Sequence, residues 1–159
     1  MKILVTGHRG FIGSNFVKML CEKHPDWQIF GLDAITYAAQ RPLYSKKPKN
    51  LVNIKADIND QLAIRKIIQN VRPDSIVHFA AESHVCRSIT GPKDFVMTNI
   101  VGTWNLLEEF KELHNKGRFL YVSTDEVFGE IRKGKFTEAS PIRPRSPYAA
   151  SKASGDHLS

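Results

Sequence analysis

Short β-rich runs alternate with helical stretches along the whole chain, the rhythm of βαβ units feeding a parallel sheet. Ile3, Leu4 and Val5 form an unbroken apolar run ended by Gly7, as a strand buried on both faces should read. Residues 11–23 place Phe16, Val17 and Leu20 on one stripe and stop before Pro25, which predicts a helix. Residues 27–32 predict a second strand, and residues 51–55 a third after a polar, basic connection. A helix over 62–71, closed by Arg72-Pro73-Asp74, leads to a fourth strand over 75–79. Pro92 stands at a first helical position, and Val96, Ile100, Trp104, Leu107 and Phe110 follow at spacings of four and three. Residues 119–122 predict a fifth strand, and Ser146-Pro147 reads as an N-cap with a first-turn proline opening a helix at Tyr148.

These elements predict a doubly wound, Rossmann-like α/β fold with a parallel sheet. Such sheets normally run to six strands in two halves. Five are visible here, and the chain stops inside the last helix. The expectation is therefore one incomplete dinucleotide-binding domain over residues 1–159, truncated after the fifth strand and the start of the next helix. No internal repeat or low-complexity tract interrupts it.

Charge narrows the partners. Lys plus Arg is 23 against 16 Asp plus Glu, a net charge of +7, which favours anions. The positive residues fall in short loop clusters around 41–49, 132–135 and 143–145, without the helical basic stripe and interleaved aromatics of a nucleic-acid surface. No nucleic-acid partner is expected, and attraction of a nucleotide-sized anion remains open beside plain solvated loop charge. No apolar run approaches bilayer length and no signal-peptide pattern opens the chain, so a membrane is not expected and the expected location is cytoplasmic. Cys21 and Cys86 sit in no metal-binding spacing, and no metal site is expected.

Gly7, Gly10 and Gly13 lie between the first strand and the first helix, spaced G-x-x-G-x-x-G. A plain turn would also use glycines. In this context they suit a tight turn, close backbone approach to a pyrophosphate and tight helix–strand packing, with the helix N-terminus receiving the anion. Asp33 ends the second strand twenty residues after Gly13, where a carboxylate can hold an adenosine ribose diol and repel a 2′-phosphate. NAD is favoured over NADP. Asp57-Ile58 is a candidate edge for adenine. Ala80-Ala81 would let the cofactor approach the backbone, although helix packing explains small residues equally well.

Tyr148 and Lys152, four apart on one helix, bring their Cβ atoms within about 5–6 Å of each other. A nearby ammonium favours the phenolate and makes Tyr148 a usable acid/base. Ser123-Thr124-Asp125-Glu126 follows the fifth strand, at the sheet edge where ligands bind in open α/β folds. Two carboxylates beside a hydroxyl suit a reaction that takes up one proton and delivers another; an acidic loop capping the next turn is the structural alternative.

These motifs together resemble the N-terminal part of the extended short-chain dehydrogenase/reductases, and within them the dTDP-glucose 4,6-dehydratase family. The resemblance runs through Gly10-Phe11-Ile12-Gly13, Asp33-Ala34-Ile35-Thr36-Tyr37, His78-Phe79-Ala80-Ala81-Glu82-Ser83-His84-Val85, Ser123-Thr124-Asp125-Glu126-Val127-Phe128-Gly129 and Ser146-Pro147-Tyr148-Ala149-Ala150-Ser151-Lys152. It implies a three-stage reaction on a nucleotide-sugar substrate. Tyr148, assisted by Lys152 and Thr124, takes the 4-hydroxyl proton while hydride passes to NAD. Glu126 removes the C5 proton and Asp125 protonates the departing 6-hydroxyl. The hydride then returns to C6, leaving a 4-keto-6-deoxy sugar. By the same matching, Phe11, Ile12, Asp33, Asp57, Ile58, Ala80, Ala81 and Thr98 line the cofactor, with Tyr148 and Lys152 at its reactive end, and Ser83 faces the sugar. Family members dimerise through two helices, here the one over 96–113 and the one from Tyr148. The shortness of the second weakens that homodimer, and the C-terminal portion holding most nucleotide and sugar contacts is expected to be absent.

Two departures from the family pattern stand out. His8 and Arg9 replace small residues after the first glycine, and are expected either to sit over the pyrophosphate or to crowd it. Cys86 stands where the family carries a carboxylate, and is expected to be a buried, inert thiol. The competing readings are a dehydratase acting on UDP-glucose, a sugar-nucleotide 4-epimerase, and a non-catalytic NAD-binding fragment.

Overall fold

The computed structural model describes residues 1–113 and 117–159. Five strands, β1 (Lys2–Thr6), β2 (Gln28–Asp33), β3 (Leu51–Lys55), β4 (Ser75–His78) and β5 (Arg118–Tyr121), form one sheet in the order β3-β2-β1-β4-β5. All four pairings are parallel. The predicted strands are present, each within about a residue of its expected ends. The order reverses at β1, and Thr6 is level with Leu32 on one side and His78 on the other. The glycine loop thus leaves the sheet at the switch point, where doubly wound folds open a ligand crevice.

Period-two alternation sorts β1 between two cores. Ile3 and Val5 join Val17, Leu20 and Cys21 of α1 (Phe11–Lys23). Leu4 points the other way, to Ile64 and Ile68 of α2 (Gln61–Val71) and to Leu106 and Phe110. The Asp60 side chain caps α2 by accepting from the Ala63 N–H at 3.0 Å, so the helix starts one residue before the predicted Leu62, which points to solvent. Ser146 caps α6 (Pro147–Leu158) in the same way, at 3.0 Å from the Ala149 N–H, with Pro147 in the first turn as predicted. No helix among the described residues is long and apolar enough to cross a membrane.

The helix from Pro92 differs from its prediction. It runs continuously through α4 (Pro92–Val96), a π-helical stretch (Met97–Gly102) and α5 (Thr103–Lys111). Its buried face is Phe95, Asn99, Gly102, Thr103, Leu106 and Phe110, whereas Val96 and Trp104 of the predicted stripe are exposed. Two apolar faces share this helix, and periodicity does not distinguish the one that meets the sheet. Gly102 decides it: a Cβ there would meet Ile58 Cγ1 at 2.5 Å. A short helix that the pattern did not predict, α3 (Val85–Thr90), precedes it.

Beneath the crevice runs a buried polar chain. Thr6 Oγ1 and His78 Nδ1 are 2.6 Å apart, and His78 Nε2 and Thr103 Oγ1 are 3.0 Å apart. Thr103 donates to the Asn99 carbonyl at 2.8 Å, which leaves it to accept from His78 Nε2–H. His78 is therefore held as a neutral imidazole that accepts from Thr6. Asn99 then donates to Ser151 Oγ and to the Glu82 carbonyl, both at 2.9 Å, and accepts the Glu82 N–H at 2.9 Å. β1, β4, α5 and α6 are tied together through one set of satisfied polar groups.

His8 is 3% exposed and turns inward against β2, so it does not lie over the crevice. A Cβ on Gly31 would meet its ring at 2.5 Å, so the extra bulk of His8 is housed where β2 has no side chain. Burial lowers the pKa of this imidazole.

Two predictions follow from this packing. Gly31→Ala should destabilise by about 1–3 kcal/mol through overpacking, and the double variant His8→Ala/Gly31→Ala should be more stable than the sum of the single effects implies. Urea titrations of all four proteins check this; additivity within about 0.5 kcal/mol would mean the two positions do not meet. The second prediction concerns acid. Burial, with a contribution from the Lys152 ammonium, lowers His78 from 6.5 to about 3. The unfolded chain binds a proton below 6.5 that the folded chain refuses, so this contribution to stability is complete above pH 6.5 and lost as pH falls towards 3. A His78→Asn variant should show a flatter stability profile between these values. A slope unchanged from wild type would contradict the assignment.

Candidate active site

The turn after β1 permits almost nothing but hydrogen at two of its glycines. Gly7 has φ +68°, and a Cβ there would meet the Ala80 nitrogen at 2.6 Å. A Cβ on Gly13 would run into the Gly7 carbonyl oxygen. Gly10 caps α1 without a side-chain hydrogen bond, and no acidic residue occupies the first turn. Helix geometry leaves the N–H groups of Phe11, Ile12 and Gly13 without intrahelical acceptors, an end of the kind that can receive an anion. Phe11 and Ile12 are 74% and 61% exposed. Two large apolar side chains stand ready to be covered.

The Asp33 carboxylate accepts the Arg9 N–H at 2.9 Å and the Ile35 N–H at 2.8 Å. It fastens the glycine loop to the end of β2, and each oxygen keeps a second lone pair for a ligand hydroxyl. The Arg9 guanidinium is held by the end of the connection that follows β2. Its Nε and Nη2 donate to the Gln40 carbonyl at 2.9 and 2.6 Å. The expectation that these two side chains cover or crowd the anion site is corrected for His8, which is buried against β2, while Arg9 is tethered to Gln40.

A cleft opens along the ends of β2, β1 and β4. One end is lined by Asp33, Asp57, Ile58, Ala80, Ala81 and Thr98. The other is lined by Phe11, Ile12, Ser83, Ser123, Tyr148 and Lys152. Gly7, Gly10, Phe79, Ala81 and Glu82 belong to both ends, so the cleft is continuous. Motif matching and the bare spacing of the glycines thus converge on one groove. Thr124, Asp125 and Glu126 lie beside its Tyr148 end.

Thr124 caps a 3-10 turn (Asp125–Phe128) that carries Asp125 and Glu126. Thr124 Oγ1 accepts the Glu126 N–H at 3.3 Å and donates to Asp125 Oδ1 at 3.5 Å. Both carboxylates act on Tyr148. Burial raises the Tyr148 phenol pKa first, Glu126 and Asp125 raise it further, and only the Thr124 hydroxyl lowers it. This departs from the expectation that Lys152 draws the phenol down. The Lys152 ammonium is buried, donates to the Val122 carbonyl at 2.6 Å and sits 4.0 Å from the Tyr121 ring centroid. Burial lowers its pKa to about 8, with Asp156 opposing. The site holds a protonated phenol, two carboxylates and a softened ammonium within a few residues of the cleft floor.

Several residues escaped the sequence pattern. Asn99 and Ser151 hold the cleft from below, Ser151 donating to the Tyr148 carbonyl at 2.7 Å. The signal for them was a run of small polar residues on a buried helix face, Asn99 and Thr103 four apart. Cys86 corrects another expectation: it is exposed on α3, and Cys21 is the buried thiol.

Comparison with known proteins agrees with this fold. The family model described as GDP-mannose 4,6 dehydratase matches residues 4–159. A dTDP-glucose 4,6-dehydratase from Xanthomonas campestris is 44% identical over 98% of this chain and 47% of its own length. The crystal structure of DesIV, a dTDP-glucose 4,6-dehydratase from Streptomyces venezuelae with NAD and TYD bound, superposes with a TM-score of 0.88 at 44% identity, covering 99% of this chain and 50% of that one. A Thermus thermophilus UDP-glucose 4-epimerase in complex with NAD also gives 0.88, at 31% identity over 99% of this chain and 49% of that one. The chain spans about half the length of the relatives it matches. With a family model matching from the first strand to the last residue, the chain belongs to the GDP-mannose 4,6 dehydratase family.

Proposed function

We propose that the protein to which this chain belongs dehydrates a nucleotide-activated glucose, dTDP-glucose, to its 4-keto-6-deoxy sugar with NAD held in the cleft. The observation that carries this reading is that Tyr148, at one end of the groove, feels both Asp125 and Glu126 from the turn after β5, each opposing ionisation of its phenol. The groove suits NAD: Gly7 brings bare backbone to its floor, the α1 N-terminus is uncapped, and Phe11 and Ile12 are exposed beside it. Gly7, Gly10 and Gly13 would receive the diphosphate, and Asp33 the adenosine ribose. Asp57, Ile58, Ala80, Ala81 and Thr98 would border the adenine side, with Tyr148 and Lys152 at the nicotinamide end. Bound NAD supplies a reversible two-electron acceptor, so that oxidation at C4 and reduction at C6 balance within one turnover.

The chain's own groups then divide the proton work. Tyr148 takes the proton of the sugar 4-hydroxyl. Its raised pKa keeps it protonated at rest, so the Thr124 hydroxyl and the Lys152 ammonium must favour the phenolate as substrate closes the site. Once C4 is a carbonyl, the C5 proton is acidic and Glu126 removes it. Asp125, entering this step as the carboxylic acid, delivers its proton to the 6-hydroxyl, which leaves as water. One carboxylate gains the proton that the other loses. Ser83, at the open end, would face the sugar. Exposed Val96, Met97 and Trp104 supply an apolar face for a family-like homodimer.

The epimerase reading has the same fold and the same tyrosine and lysine, but no use for an acid pair. Glu126→Gln in the full chain separates the two. With dTDP-glucose and UDP-glucose offered in parallel, 4-keto-6-deoxy product should fall by about 100-fold or more while NAD binding persists. An unchanged dehydration rate, or interconversion at C4 without loss of water by the wild type, would contradict the proposal.

A further inference from the structure

The strands on either side of β1 each send a segment to the cleft that the glycine loop lines, and the two segments meet. Residues 34–40 follow β2 and residues 79–84 follow β4, while the glycine loop rises from β1 between them. Tyr37 donates its phenolic hydrogen to Glu82 Oε2 at 2.7 Å across this gap. Burial raises the Tyr37 pKa, and so does the bond to Glu82, consistent with a neutral phenol donating to a carboxylate. The Arg87 guanidinium lies 4.2 Å from the Tyr37 ring centroid. Tyr37 is nevertheless 57% exposed, so burial of its ring is not what holds it there.

Both ends of the bridge are anchored. The Gln40 N–H donates to the Arg9 carbonyl at 2.6 Å, and the Arg9 guanidinium returns two bonds to the Gln40 carbonyl. At the other end of the segment the Ile35 N–H is held by Asp33, with Ile35 in the left-handed region at φ +57°. A β-branched residue adopts that conformation only when its surroundings enforce it. The Ala39 N–H donates to the Thr36 carbonyl at 3.1 Å, a turn that presents Tyr37 at its tip. Glu82, the landing point, has its backbone N–H and carbonyl both bonded to Asn99. Tyr37, Ala38, Gln40 and Glu82 line the cleft together with Gly7 and Gly10.

We propose that residues 34–40 form a strap across the diphosphate end of the cleft, and that the Tyr37–Glu82 hydrogen bond is the latch that sets how fast a bound dinucleotide leaves. The proposal rests on the reading of the cleft as an NAD site. A diphosphate on the α1 N-terminus lies under the strap, so the molecule can leave only when Tyr37 parts from Glu82. A reaction that returns its electrons to the sugar gains from such retention, because the cofactor need not exchange between turnovers. Tyr37 is thus a positioning residue, separate from the groups that move protons.

Displacement of a fluorescent etheno-NAD by excess NAD, followed in stopped flow on the full chain, reads this directly. Tyr37→Phe removes the hydroxyl but keeps the ring beside Arg87, and should raise the dissociation rate about tenfold, the size expected for one hydrogen bond to a charged group at a half-exposed site. Glu82→Gln should raise it in the same direction. The melting temperature of the unliganded protein should be unchanged in Tyr37→Phe, since the side chain is largely in solvent. Dissociation from Tyr37→Phe at the wild-type rate would overturn the latch while leaving the NAD site intact. Failure of the wild type to bind etheno-NAD at all would overturn the cleft reading itself, and the latch with it.

Discussion

Everything at the mouth of this sheet depends on one backbone-to-backbone contact. Gly7, at φ +68°, lies so near Ala80 that only a hydrogen fits between the end of β1 and the end of β4. Because the turn is that tight, α1 can begin at Phe11 with its first N–H groups aimed back over the sheet. Because the strand ends are that close, the polar chain Thr6–His78–Thr103–Asn99 can run unbroken beneath them. The cleft, the helix dipole and the buried supports are consequences of one missing side chain.

The same support chain reaches the chemical end of the site. Asn99 holds Ser151, and Ser151 holds the carbonyl of Tyr148. The Tyr148 phenol is kept from ionising by burial and by Glu126 and Asp125, while Lys152 is drawn aside to the Val122 carbonyl and the Tyr121 ring. A phenol held protonated and an ammonium softened to about 8 are perturbed together by burial and neighbouring charge, the pattern that marks candidate functional sites.

Much of this was legible in the sequence, for definite reasons. The strands are short apolar runs set off by Gly, Pro and Asp, and the helices at 11–23, 61–71 and 147–158 carry caps or proline signals near their starts or stops. Glycines 7, 10 and 13, Asp33, Tyr148 and Lys152 are local in spacing, and the fold brings them to one groove. The misses came from contacts no local pattern encodes. His8 reads as a loop cation until Gly31, on another strand, offers it a buried seat. Cys86 reads as a buried thiol until α3 turns it outward. The apolar stripe through Val96 and Trp104 faces solvent because Gly102 and Leu106 fit the sheet better. Tyr37 meets Glu82 across 45 residues of sequence, in a connection with no periodicity of its own.

The central claim is that this cleft is a preformed site for NAD, and a thermal-shift titration of the chain with NAD and NADP in parallel tests it most directly. A ligand that binds only the folded state should stabilise it by about 2.7 kcal/mol at a hundredfold its dissociation constant. NAD should raise the melting temperature in a saturable way, and NADP, whose 2′-phosphate would meet the Asp33 carboxylate, should not. An equal shift with NADP would contradict the role given to Asp33. No shift with either would contradict the claim that the cleft takes a dinucleotide at all.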